Sequence, residues 1–128
     1  MLRGPATITF WADDLKAARE WYTELLGIEP YFEVPGYLEW RIGDHQAELG
    51  VADSRYAPGP PARPGGAVLH WHVDDVAETL DRLLKLGATP HLPMTDRGEG
   101  FVTASVADPF GNVLGVMYNP HYLEMLAR

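Results

Sequence analysis

TITFWADDLKAAREWYTELLGIEP, residues 7–30, lies over VLHWHVDDVAETLDRLLKLGATP, residues 68–90, with a single one-residue gap. Both stretches open with alternating residues, reach Asp-Asp, continue with helical periodicity and close in Leu-Gly-x-x-Pro: Leu26, Gly27 and Pro30, then Leu86, Gly87 and Pro90. Such self-similarity marks a duplication. Asp13 or Asp14, and Asp74 or Asp75, are placed to accept from the free N–H groups of a helix start. Gly27 and Gly87 supply the left-handed residue that stops a helix. Leu15, Ala18, Tyr22, Leu25 and Leu26 then share one helix face, and Val76, Leu80, Leu83, Leu84 and Leu86 another. Each copy therefore reads as strand, cap, helix and stop, with a helix that has a sheet to cover.

Working outward, further strand-like runs follow each helix: Tyr37 to Ile42 and residues 47–51 in the first copy, Phe101 to Ala107 and Val113 to Tyr118 in the second. The turns between them, Gly43-Asp44-His45-Gln46 and Asp108-Pro109-Phe110-Gly111-Asn112, carry turn-forming residues, and turn chemistry explains the second better than catalysis does. Between the copies runs APGPPARPGG, residues 57–66, whose prolines and glycines suit a linker. The organisation is one domain: module one over about 5–56, the linker, module two over about 67–119, and a tail over 120–128 in which the course of His121 and Tyr122 is undecided.

Composition narrows the function. The 128 residues, 46% hydrophobic, suffice for a core without disulfide or metal staples. The absence of cysteine removes disulfides, zinc-thiolate sites and a cysteine nucleophile. A formal charge of -8 argues against nucleic acid and anionic lipid as partners. With neither a signal-like start nor an apolar run of spanning length, the expectation is a cytoplasmic protein with no membrane association.

The pattern of strand, Asp14-Leu15, helix with Trp21-Tyr22, Leu-Gly, three further strands, linker, and the same again ending in Asp108-Pro109-Phe110-Gly111-Asn112 resembles the vicinal oxygen chelate superfamily. That superfamily includes glyoxalase I, the bleomycin and fosfomycin resistance proteins and extradiol dioxygenases. The resemblance spans about residues 7–118. It implies an α+β fold of tandem βαβββ modules forming a cup-shaped mixed sheet with helices outside, a small-molecule ligand inside, and a homodimer.

Strand alternation sorts side chains between the two faces of such a sheet. Ile8, Phe10 and Ala12 suit the helix side, leaving Thr7, Thr9 and Trp11 for the cup; Leu69, Trp71 and Val73 suit the helix side, leaving Val68, His70 and His72. A tight turn at Asp44-His45 sets Arg41 opposite Glu48 and Trp40 opposite Leu49. Leu38, Trp40, Ile42, Ala47, Leu49 and Val51 then form an apolar face, and Glu39, Arg41 and Glu48 the other. In the last hairpin Val102, Ala104 and Val106 oppose Thr103 and Ser105, and Val113, Gly115 and Met117 alternate with Leu114, Val116 and Tyr118. The ligand-binding set is Thr9, Trp11, Arg41, Glu48, His70, His72, Thr103, Ser105 and Met117. Trp11 is suited to stacking on a planar ligand, Trp21, Trp40 and Trp71 suit the core, and Met117 serves either purpose. His45, in a turn, and His91, just past a proline, are expected in solvent.

Metal-using members of the superfamily take ligands at positions that the resemblance carries onto Thr7, Glu48, Val68 and Gly115. Valine and glycine offer no donor, so glyoxalase-type isomerisation and extradiol cleavage lose their usual ion. The preferred expectation is a metal-independent binder without cofactor, holding an aromatic or cationic compound, with His70 and His72 as hydrogen-bonding lining. The alternative is a divalent metal relocated to Glu48, His70 and His72, making the protein a glyoxalase- or dioxygenase-type enzyme. A third reading makes His70 or His72 a general base with Arg41 holding an anion, and Glu48 can equally spend itself on Arg41 across the hairpin.

Overall fold

The computed structural model describes residues 3, 5–57 and 68–128. Of the linker at 57–66, all but Ala57 lies outside the described residues; Ala57 ends a 3-10 turn over Ser54–Tyr56. The chain divides into two compact units, residues 1–62 and 63–128, and each repeats the order strand, helix, three strands.

In the first unit β1 (Thr7–Ala12) leads to α1 (Leu15–Leu26), then β2 (Phe32–Val34), β3 (Tyr37–Ile42) and β4 (Ala47–Asp53). The sheet order is β1-β4-β3-β2, with β1 parallel to β4 and the other pairs antiparallel. Asp14 caps α1 by accepting the Ala17 N–H at 3.0 Å. Gly27 ends the helix in the left-handed region at φ 73°, its N–H bonded to the Thr23 carbonyl. Ala18 and Tyr22 face inward, and Tyr22 packs on Trp40 and Phe10 with ring centroids 5.9 and 6.2 Å apart. Leu38, Leu49 and Val51 complete this core. The expected pairs Arg41 with Glu48 and Trp40 with Leu49 are both present. Trp40 is fully buried, whereas Trp21 and Trp71 are only half-buried.

The second unit contains β5 (His70–His72), α2 (Val76–Lys85), β6 (Thr89–Gly98), β7 (Phe101–Ala107), β8 (Val113–Tyr118) and α3 (Pro120–Leu126). Its order, β5-β8-β7-β6, mirrors the first. Asp75 caps α2 through the Glu78 N–H at 3.0 Å, and Arg82 and Lys85 place positive charge in its last turn. Val76 and Leu83 are buried with Ala104, Val106, Leu114 and Val116. Leu84, expected on the buried face, is instead 38% exposed: one residue past Leu83, it is turned about 100° away around a helix of 3.6 residues per turn.

β2 and β6 each stand at one edge of their sheet, with β1 and β5 at the other edges. The resemblance implied β2 and β6, but the residue pattern did not reveal them. β2 has three residues, too few to show alternation. β6 carries Pro90 and Pro93 and three register shifts against β7, which an edge tolerates because one side of its backbone has no ladder partner. The Asp108–Asn112 turn is as expected: Asp108 Oδ1 accepts from the N–H groups of Phe110 and Asn112 at 2.9 and 2.8 Å, and Oδ2 from Asn112 Nδ2 at 2.7 Å.

Candidate functional site

Helix α1 covers one face of the first sheet, so the side chains of opposite parity form the other. Thr7 pairs with Glu48 and Glu48 with Arg41, making one polar row; Thr9, Gly50 and Glu39 make the next; Trp11, Ala52 and Tyr37 the third. Thr7 Oγ1 donates to Glu48 Oε1 at 3.2 Å. Arg41 Nε stands 3.7 Å from Glu48 Oε2, with both side chains a third or more exposed (43% and 33%), so this pair contributes at most about 1 kcal/mol. The Arg41 guanidinium also lies over the Tyr31 ring, 3.8 Å from its centroid.

Tyr37, which the sequence did not single out, leans across this face. Its hydroxyl donates to Glu39 Oε1 at 2.8 Å, and its ring fills the space where a side chain on Gly50 would stand, 2.8 Å from that position. Burial pushes the phenol up to about 12, and the bond to Glu39 and the charges of Glu39 and Glu48 act in the same direction. Tyr37 shares the parity of Glu39 and Arg41, so alternation alone could have found it.

In the second unit α2 covers Ala104 and Val106, and Ser105 and Thr103 point to the opposite face. The register across β5, β8 and β7 aligns His70 with Gly115 and Ser105, and His72 with Met117 and Thr103. This corrects the expected slots. By analogy with Thr7 beside Glu48, Gly115 should stand beside Val68, but its ladder partner is His70. The two-residue offset preserves the face, because side chains alternate with period two. His70 takes the place expected of Val68, and a Cβ on residue 115 would stand 2.9 Å from His70 Cδ2 and 2.6 Å from the Leu69 carbonyl oxygen. The imidazole occupies the room that a ligand side chain at 115 would need.

The two histidines expected to act together differ in their surroundings. His72 Nδ1 accepts the Asn119 backbone N–H at 3.1 Å, which puts the hydrogen of the neutral ring on Nε2. That Nε2 is out of solvent with no hydrogen-bond partner among the described residues. Asp74 Oδ1 at 3.5 Å makes an ion-pair approach only if the ring is protonated. The ring is stacked on Tyr122 of α3, centroids 4.8 Å apart and planes 10° from parallel, so His72 anchors the C-terminal helix. The position of Tyr122 answers what the tail residues left undecided. His70 has no hydrogen bond within the described residues and is half-buried.

His91, expected in solvent, is exposed but not idle: its Nδ1 lies 2.9 Å from Ser105 Oγ. One row along, Arg97 Nε donates to Thr103 Oγ1 at 3.1 Å. Both bonds were beyond reach of alternation, because the bulges of β6 break its parity.

Whether these residues suit a divalent ion follows from the donors. At the family's positions the chain offers Thr7, Glu48, His70 by register, and Gly115; Glu48 already accepts from Thr7 and faces Arg41. Among the described residues no group of three or more His, Asp or Glu side chains is placed to hold a metal. The relocated set loses His72 at Nδ1 to Asn119. Among the described residues, this donor set does not fit a resident ion.

Two four-stranded mixed sheets, each with a helix on one face and polar side chains on the other, define an α+β fold of two repeated modules. The Glyoxalase/Bleomycin resistance protein/Dioxygenase superfamily model matches residues 4–116, and the chain belongs to that superfamily. Among solved structures, a glyoxalase-related enzyme from Fulvimarina pelagi is 26% identical, with TM-score 0.75 over 93% of this chain and 90% of that one. A lactoylglutathione lyase from Agrobacterium tumefaciens is 21% identical, with TM-score 0.72 over 95% and 98%. The solution structure of protein ATC0852 from the same organism is 23% identical, with TM-score 0.74 over 91% and 98%. No curated protein sequence matches. None of the described helices is long and apolar enough to cross a membrane.

Proposed function

We propose that the protein binds a small organic molecule against a polar sheet face without a resident metal ion, as a non-catalytic member of its superfamily. The observation that carries this reading is Gly115: the last-strand position where metal-using relatives carry a ligand has no side chain, and His70 fills its space. Sequestration needs only apolar walls and a few placed polar groups. Trp11, Thr9, Arg41 and Glu48 on one sheet, and His70, Thr103, Ser105 and Met117 on the other, are of that kind. Superfamily membership supports a homodimer, to be checked by light scattering at micromolar concentration; a monomeric mass removes it.

The register also supports a second reading, a metal-dependent enzyme, because it moves a histidine into a ligand slot. Elemental analysis after incubation with zinc, nickel, manganese or ferrous iron, then dialysis, separates the two. Binding without metal predicts well under one ion per chain. One tightly held ion, lost in His70→Ala, establishes the enzyme reading. Trp11 fluorescence then screens aromatic compounds, cationic and anionic alike.

A further inference from the structure

The second sheet carries one device twice. On the edge strand β6, a basic side chain reaches over its neighbour β7 and is held by a hydroxyl there: His91 by Ser105 at 2.9 Å, and Arg97 by Thr103 at 3.1 Å. Ser105 is 1% exposed, so its hydroxyl is a fixed internal anchor. Holding His91 through Nδ1 turns the other ring nitrogen, Nε2, away from the anchor. From the opposite edge of the sheet, on the same face, His70 lies over Gly115, the ladder partner of Ser105. Two imidazoles thus bracket the Gly115–Ser105 pair, and a guanidinium stands one row along.

No carboxylate opposes them on these strands. The only acid in β5 to β8 is Asp96, which pairs with Val102 on the other face and spends Oδ1 on the Gly98 N–H. In a chain of net charge -8, strands that present three histidines and an arginine on one face are a local exception, and the acid just past β5, Asp74, approaches His72. His72, the third histidine, is held under α3 and offers no free donor outward. Imidazole and guanidinium N–H groups held in place are donors without matching acceptors, the complement of an anionic oxygen.

We propose that this face is a subsite for an anionic oxygen group of the ligand, a carboxylate or phosphate, contacted by His70, His91 and Arg97, with Ser105 and Thr103 as positioning residues. This rests on the reading of the protein as a small-molecule binder and specifies the chemistry of one end of the ligand.

The test uses the full chain with 15N-labelled histidines. Ring resonances of all five histidines are followed during titration with acetate and with inorganic phosphate, against chloride at matched ionic strength. The expected result is movement of His70 and His91 at millimolar anion while His45 and His121 stay still; the more effective anion identifies the source. Arg97→Gln and His70→Gln weaken the effect about tenfold each, as for loss of a hydrogen bond to a charged group. Ser105→Ala weakens it by a smaller factor, and Ser105→Thr, which restores the hydroxyl, recovers it. Equal movement of all five rings, or no selective movement of His70 and His91, overturns the subsite. A neutral compound that quenches Trp11 while His70 and His91 stay still also overturns it, yet leaves small-molecule binding standing.

Discussion

A methyl group at position 115 has nowhere to go. It would meet the Leu69 carbonyl oxygen at 2.6 Å and the His70 ring at 2.9 Å, and the first of these is backbone that cannot step aside. Gly115→Ala is expected to cost about 1–3 kcal/mol in urea unfolding, as overpacking does, and to displace His70. Gly50 differs, because the group over it is the far end of the Tyr37 side chain, which can swing away. Gly50→Ala is expected to cost less and to break the Tyr37–Glu39 bond. Tyr37 also gives a pH signature. Its folded value, about 12, lies above the ordinary 10.0, so the folded state holds its proton longer than the unfolded chain does. The resulting stability is present below about pH 10 and is lost as pH rises toward about 12. Tyr37→Phe should remove that part of the alkaline loss.

At the scale of elements, the caps were legible because they are local. Asp14 and Asp75 each accept from the N–H three residues on, and Asp75→Ala should cost about 1 kcal/mol in thermal or urea unfolding. The C-terminal helix was not legible, since its anchor is long-range: Asn119 and Tyr122 meet His72 from 47 and 50 residues away. His72→Ala removes a stacked ring and the acceptor of the Asn119 N–H. It should lower stability by about 1–3 kcal/mol and raise hydrogen exchange at Asn119 and through α3, leaving α2 protected. β6 was hidden for another reason. Its prolines and bulges erase the alternation that reveals a strand, and with it went His91 and Arg97.

For the whole molecule, the duplication was the strongest signal in the chain, and a superfamily match over residues 4–116 agrees with it. Alternation also placed Glu39, Arg41, Glu48, Thr103 and Ser105 on the right faces, because a strand covered on one side leaves its polar positions to the other. The position of Gly115 along its neighbour was misjudged, because parity is indifferent to a slip of two. That slip brings a histidine to the slot, and the donor count on which metal retention depends follows from it. A protein dialysed after exposure to zinc should hold far less than one ion per chain, and the His72→Ala variant should hold no less than the parent.

Local chemistry therefore determined what the sequence could say alone: two modules, their caps and stops, and the inner faces of their sheets. These depend on neighbours a few residues apart and on the period of the backbone. Which residues touch across strands was decided only by tertiary structure: His70 over Gly115, Tyr37 over Gly50, His91 on Ser105 and His72 under Tyr122. Register, bulges and the return of a terminal helix are set by packing free energies summed over distant segments, and no local pattern carries that sum.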